Sequence, residues 1–406
     1  MPVPEFPFDR LRRRPDVEAP NLFAVDAADR LILDTAADTA ANSAADTAAD
    51  AIATVGDGEL TVIGDSYGAL TLAAAWRGAR GIRVHQDALT GVRALAANAS
   101  RLGLERTFED RPLDPTLVAG ARVVLLRLPR SLDALAEISA LIAEHAHPEV
   151  TVFAGGMVKH LTTAMNGVLG QVFGSVQASL ARQKARVIMA TDARPAAAAA
   201  LTAWPRREFD EPLGLWVCAH GAAFAGTSVD IGTRLLLSVL DDAMPEAGTA
   251  IDLGCGTGVL ATSLALRRPG IRVIATDQSA AAVASAAATA EANGAGERVI
   301  VLRDDGLAAQ PDASAELIVL NPPFHIGSAV HTGIAHRMFA DAARVLAPGG
   351  ELWTVWNSHL GYRAALEHAV GPTRQIARNA KFTVTASRRP AAAPAGGDRH
   401  GSGRDF

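Results

Sequence analysis

With 406 residues, 49% of them apolar, the chain is too long for one ordinary domain and rich enough to give two domains of roughly 200 residues a core each. A net charge of -5 lacks the basic surplus of most nucleic-acid binders, although a whole-chain sum hides local patches. Two cysteines, Cys218 and Cys255, exclude a disulfide framework and a zinc cluster, and no apolar run reaches the ~20 residues of a membrane span.

The opening MPVPEFPFDRLRRRPD carries basic residues without a following apolar stretch, which predicts no secretion signal and a cytoplasmic protein. From Asp34 to Asp50 the four-residue quasi-repeat DTAADTAANSAADTAAD would stack Asp34, Asp38, Asp46 and Asp50 on one helix face, a solvated surface without chemistry. Apolar strand-like runs then alternate with alanine-rich helical stretches. The runs are ELTVIGD, GIRVHQD, RVVLLRL and EVTVFAG, followed by TAIDLGC, IRVIATD, AELIVLN and ELWTVWN. Such alternation implies a parallel sheet covered by helices.

The two sets repeat in the same order, which points to an internal duplication. Gly64 precedes Pro129 by 65 positions, and Gly254 precedes Pro322 by 68. Leu180–Thr191 (LARQKARVIMAT) parallels Ile376–Ser387 (IARNAKFTVTAS). The expectation is two copies of one α/β fold, residues 1–205 and 206–388, joined near Ala203–Pro212 and followed by a disordered tail, 389–406.

In the second copy, AIDLGCGTGVL runs from an apolar strand into a turn with Gly254, Gly256 and Gly258, where the backbone can approach a ligand. The form D-x-G-x-G-x-G, with Asp252 at the end of the strand, favours S-adenosylmethionine over a dinucleotide. Asp277, closing the next strand, suits the ribose hydroxyls of an adenosine ligand. Asp305, or its neighbour Asp304, is a candidate partner for the adenine amino group, with helix capping as the alternative. Cys255 is expected to pack beside the cofactor, since no base is arranged to make it a nucleophile.

The most informative segment is ELIVLNPPFH. A buried strand ends at Asn321-Pro322-Pro323-Phe324, where two prolines fix the backbone and remove two donors. The Asn321 side-chain oxygen and the Pro322 carbonyl can then accept both hydrogens of one planar amine, and Phe324 offers a face for stacking. Methyl transfer needs in-line approach, so this positioning supplies much of the acceleration. By itself the motif does not separate adenine, guanine, cytosine and protein glutamine. His325 is a further candidate for substrate contact, whereas His331 and His336 read as surface residues, and no histidine spacing suits a metal. In the first copy, VIGDSYGAL lacks most of the glycines, and Leu128-Pro129-Arg130-Ser131 has neither Asn nor aromatic. That copy is left to hold RNA or to shield the second, with Lys159, His160, Arg182, Lys184 and Arg186 as a basic set for phosphates.

From about Phe23 to Arg388 the chain resembles the bacterial ribosomal RNA guanine-N(2) methyltransferases. The resemblance rests on FAGTSVDIGTRLLL (with Asp230 and Gly232), NPPFH, RMFADAARVLAPGGELWTVWNSHLGY and NAKFTV. It implies two tandem class I (Rossmann-like) S-adenosylmethionine methyltransferase domains, the first degenerate. It also implies a ribosomal RNA or ribosomal particle as partner, with no metal and no membrane. LRLPRSLDAL, LARQKARVIMAT and WNSHLGY are closer to the large-subunit (23S) branch than to the small-subunit one.

Overall fold

The computed structural model describes residues 5–41, 51–201, 203–323 and 330–391. Phe324 and His325 lie outside the described residues, as do Asp46, Asp50 and the tail from 392 onward.

The first copy is a seven-stranded sheet of β1 (Leu60–Ile63), β2 (Ile82–His85), β3 (Phe108–Asp110), β4 (Val123–Arg127), β5 (Thr151–Met157), β6 (Phe173–Ala178) and β7 (Ala185–Ala193). A hairpin follows, β8 (Arg206–Asp210) and β9 (Leu215–Ala219). The second copy is built from β10 (Thr249–Leu253), β11 (Arg272–Asp277), β12 (Val299–Arg303), β13 (Ala315–Leu320), β14 (Leu346–Asn357), β15 (Thr373–Arg378) and β16 (Phe382–Arg388).

The two large sheets have the same order, 3-2-1-4-5-7-6 within each copy, with the seventh strand antiparallel to its neighbours. Duplication is thus visible as topology. Central strands alternate their side chains between two cores, as parallel strands buried on both faces must. In β10, Ala250 enters the core that holds Trp353 and Val384, and Ile251 and Leu253 enter the one that holds Phe339 and Tyr362. The order reverses direction between β10 and β13, and open α/β sheets bind ligands at such a switch, beyond the strands' carboxyl ends.

Much of the stretch expected as a joint is strand. β8 lies within Ala203–Pro212, and the hairpin packs on the helix Ala280–Ala292 through Cys218 N to Thr289 Oγ1 (3.0 Å) and His220 N to Ser285 Oγ (2.9 Å). Its charged alternation, RREFD, masked a two-stranded element that buries only one side. Of the aspartate repeat, Asp34 and Asp38 sit exposed on the helix Ala27–Ala41, whose Ile32, Leu33 and Ala36 face the core. At the other end Arg389 is still tied to the sheet by bonds with the Gly349 and Gly350 backbone (3.0 and 2.9 Å).

The copies meet about a local pseudo-twofold axis at the loops after β2 and β11. Leu89 N donates to Gln278 O (3.0 Å), Ala280 N donates to Asp87 O (2.8 Å), and Ala88 and Ser279 form an antiparallel bridge. On the far side of the contact, Glu137 accepts from Gly221 N (2.7 Å) and pairs with His220 Nδ1 (2.5 Å), and Arg206 pairs with Asp133 (2.9 Å).

Candidate active site

The glycine turn after β10 is held by Gly254 N and Cys255 N, which both donate to Thr276 O (2.8 and 2.9 Å). Gly254, Gly256 and Gly258 have φ of +70°, +53° and +74°, a region that L side chains disfavour. At Gly258 a Cβ would lie 2.7 Å from Ala286 Cβ, so this glycine also allows the helix Ala280–Ala292 to approach. At Gly256 nothing lies within 4 Å of where a Cβ would stand; the turn is open there.

Asp277 closes β11 with Oδ2 accepting from Gly256 N (3.1 Å) and Oδ1 from Ser279 N (2.9 Å). Burial raises its pKa, and these two amides oppose the rise. Asp304 is buried and accepts from Asp305 N and Ala309 N (2.9 Å each), the work of a cap. Asp305 instead pairs with Arg337 (3.3 Å) and Arg93 (3.8 Å). Asp252 sits behind the turn, fully buried, its Oδ2 accepting from Ala261 N (3.0 Å). Burial, then Asp252 and Asp277, push the Cys255 thiol well above its usual range, so it stays protonated and packs.

These residues surround a cavity of about 400 Å³ whose walls include Gly254, Gly256, Asp277, Asp304, Asp305, Asn321, Pro322 and Pro323. Asp252 is not on its wall. The open cradle at Gly256, the carboxylates at two strand ends and the size of the space fit the adenosine and the short chain of S-adenosylmethionine.

Asn321 follows β13 directly. Its Nδ2 donates to Asp230 Oδ2 (3.1 Å) and to Thr233 Oγ1 (2.9 Å), and the threonine hydroxyl donates to Asp230 Oδ2 (2.5 Å). Both amide hydrogens are consumed, which fixes the flip of the side chain. The other atom, Oδ1, is buried and has no partner among the described residues. A buried acceptor left unpaired costs about 1–3 kcal/mol, so an incoming donor is favoured there. Asp230 is held in turn as the N-cap of the helix Ile231–Leu237, accepting from Gly232 N and Thr233 N (2.8 and 3.2 Å).

Residues 214–386 match the methyltransferase small domain family, and residues 4–194 match the RLMG N-terminal domain family. Ribosomal RNA large subunit methyltransferase G of Streptomyces avermitilis is 35% identical over 390 residues, 94% of each chain. The protein of that name from Pseudomonas fluorescens is 35% identical over 394 residues, covering 96% of this chain and 100% of its own. The chain belongs to the ribosomal RNA large subunit methyltransferase G family. Its fold is shared with a solved structure, the 16S rRNA N2 G1207 methyltransferase of T. thermophilus in complex with AdoMet and guanosine, at a TM-score of 0.67 and 23% identity, covering 83% of this chain and 90% of that one.

Within this family member, the degenerate copy has the same parts in altered form. Registers through β1 and β4, and through β10 and β13, put Arg127 rather than Leu128 at the place of Asn321. Gln86 stands at the place of Asp277, because Gly64 N bonds His85 O (2.9 Å) as Gly254 N bonds Thr276 O (2.8 Å). Asp65 folds inward, accepting from Leu70 N and Thr71 N (2.9 and 2.8 Å), and so caps its own helix as Asp252 does from the strand.

Of the residues expected from sequence, Asn321, Pro322, Pro323, Gly254, Gly256, Asp277 and Asp305 converge on one cavity, whereas Gly258 and Asp252 are not on its wall. Five residues on its wall carried no role in that reading. Asp230 and Thr233 precede Asn321 by about ninety residues, and only the family resemblance at FAGTSVDIGTRLLL marked that segment. Asp87 and Ala88 reach the cavity wall from the other copy, and exposed Phe224 joins it. No local signal foretells a contact made across a domain boundary. His336 is exposed, as expected, and meets Phe339 and Tyr362 at tilted, edge-type ring contacts (centroids 6.1 Å apart in each). Among the described residues no group of three His, Cys, Asp or Glu is placed to hold a metal ion, and no helix is long and apolar enough to cross a membrane.

Proposed function

We infer that the second copy, residues 206–388, methylates the exocyclic N2 of a guanine in large-subunit ribosomal RNA. The observation that carries this reading is the unpaired, orientation-locked Oδ1 of Asn321 on the cavity wall. A planar amine directs one hydrogen to that oxygen and the other to the Pro322 carbonyl. Its lone pair is then turned out of the base plane toward the methyl donor.

S-adenosylmethionine supplies a sulfonium-bound methyl carbon that is already electrophilic. The amine nitrogen bonds that carbon as the carbon–sulfur bond breaks, and the nitrogen proton leaves afterwards toward the Asn321–Pro322 acceptors or water. Charge and atoms balance without a strong base, so orientation is the main contribution of the protein. Phe324, next in sequence, and Phe224 supply aromatic faces on which a base turned out of the RNA can stack. Asp277 holds the ribose hydroxyls and Asp305 the adenine amino group. Asp252 acts from behind the turn.

Full-length similarity to the large-subunit enzymes favours that RNA over the small-subunit one. The first copy, residues 1–205, contributes RNA contacts at an edge where Lys159, His160, Lys184 and Arg186 are all exposed; Val158 N donates to Lys184 O (2.8 Å), which gathers them. The setting is the cytoplasm, on free ribosomal RNA or an assembling large-subunit particle. The test is transfer of labelled methyl to total ribosomal RNA from cells lacking the gene, with nucleoside analysis. N(2)-methylguanosine in the large-subunit RNA is expected; label confined to the small-subunit RNA, or none in any RNA, overturns the reading.

A further inference from the structure

The Asp277 loop is not self-sufficient. The helix Ala280–Ala292 begins immediately beyond it, and the first amides of a helix have no partner within the helix. Here two of them are satisfied by the other copy: Ala280 N by the Asp87 carbonyl (2.8 Å) and Ala281 N by Asp87 Oδ1 (2.9 Å). The same Oδ1 accepts from Ser279 Oγ (2.9 Å), whose oxygen accepts from Ala282 N (3.1 Å). From the neighbouring strand, Arg303 donates to Gln86 O (2.7 Å), Asp87 O (3.0 Å) and Gln278 O (3.3 Å), so one guanidinium pins both loops. Asp87 is half-buried and stands on the wall of the cofactor cavity.

We propose that Asp87 of the degenerate copy is a positioning residue for the cofactor, fixing the Asp277 loop in the conformation that receives the ribose. This rests on the second copy being the one that binds S-adenosylmethionine. The duplicated domain then has a task besides holding RNA: its first helical turn and that of the catalytic copy cap each other across the pseudo-twofold axis, and only one side of that arrangement faces a cofactor. Charge alone does not explain the position, because Asp87 and Asp277 repel. The acceptor geometry does, since one carboxylate oxygen serves both the Ser279 hydroxyl and the Ala281 amide at the start of the helix.

The test is cofactor binding by calorimetry on the full chain, with S-adenosylmethionine and with S-adenosylhomocysteine, alongside steady-state kinetics. Asp87→Ala should weaken both ligands by about ten-fold or more. At saturating cofactor its kcat and its KM for RNA should stay near wild type. Asp87→Asn keeps an acceptor oxygen and should recover most of the affinity. Asp133→Ala, which cuts the remote ion pair to Arg206, should leave cofactor binding unchanged. Wild-type affinity in Asp87→Ala, an equal loss in Asp133→Ala, or no recovery in Asp87→Asn would each overturn the proposal. Should Asp87→Ala fail to fold, Ser279→Ala removes the donor from the opposite side; it is expected to weaken cofactor binding, and wild-type affinity there overturns the proposal. Failure of wild type to bind either ligand would instead refute the cofactor assignment, and a wrong RNA target would leave this inference intact.

Discussion

Arg127 of the first copy occupies the position of Asn321 in the second, and both face the same pair of places on the preceding helix. Asn321 donates to Asp230 Oδ2 and Thr233 Oγ1; Arg127 donates to Asp26 (2.7 and 3.0 Å) and Asp29 (2.9 Å), where Asp26 caps the helix Ala27–Ala41. Asparagine spends its nitrogen on these partners and keeps an oxygen for substrate. Arginine has five donors and no acceptor, so it cannot hold an amine by its hydrogens. One substitution converts the acceptor station into an ion-pair plug.

Arg127→Asn is therefore expected to damage the fold without restoring chemistry. It leaves Asp26 and Asp29 facing each other with no cation between them. Removing one partner of a largely buried pair is costly, and with Asp26 partly exposed about 2 kcal/mol is expected. A denaturant titration should show the loss, and calorimetry should still find one cofactor per chain. A second binding equivalent, or undiminished stability, would refute the plug.

The difference between these two positions explains what could be read from the sequence. Glycines with positive φ and a Pro-Pro terminus restrict the backbone locally, so the turn at Gly254–Gly258 and the Asn321-Pro322-Pro323 end were visible one residue type at a time. Alternation of apolar runs implied a parallel sheet covered by helices, twice, while the strand order became visible only in the structure. What stayed hidden is held by long-range bonds: Arg127 to Asp26 across 101 residues, Asn321 to Asp230 across 91, Ser279 to Asp87 across 192. The β8–β9 hairpin was missed for a related reason, since it docks on the helix Ala280–Ala292 through bonds that span 71 and 65 residues.

Asn321→Ala should keep the cofactor and lose the reaction. The substitution removes an oxygen with no partner among the described residues, together with the two Nδ2 bonds to Asp230 and Thr233, which keep their own bonds to each other and to the helix start. Loss of one preorganised acceptor is expected to lower kcat by about 10²–10³-fold, with the cofactor Kd within a few-fold of wild type. Single-turnover methyl transfer measures the first quantity and calorimetry the second; turnover near wild type would remove Asn321 from the mechanism.

Asp230→Asn tests whether the flip of that amide matters. Asparagine is as good an N-cap as aspartate, so the helix Ile231–Leu237 should survive. Its amide can, however, present hydrogens to the Asn321 nitrogen, and the locked orientation is lost. The expected result is a fall of kcat by about ten-fold with both KM values nearly constant. A change confined to melting temperature would assign Asp230 to stability alone.

Asp252 should make stability fall as pH rises. It is fully buried, one oxygen has no partner among the described residues, and burial first, then the nearby Asp277, push its carboxyl up to about 7 against the pull of the Ala261 amide. The folded chain thus holds a proton that the unfolded chain releases near pH 4, and the stability this gives is complete below that value. It is lost progressively until pH passes the folded-state pKa, a slope of about 1.4 kcal/mol per unit that flattens near pH 7, and roughly 2 kcal/mol between pH 5 and 7. Burial pushes Asp29 up to about 7 as well, and it adds a slope of the same sign that a change at residue 252 leaves in place. Asp252→Asn keeps an oxygen for the Ala261 amide and carries no charge at any of these pH values. The melting-temperature difference, variant minus wild type, should therefore grow from pH 5 to pH 7 and level off above it. A difference independent of pH would mean that Asp252 is ionised throughout, with a counter-charge on its free oxygen.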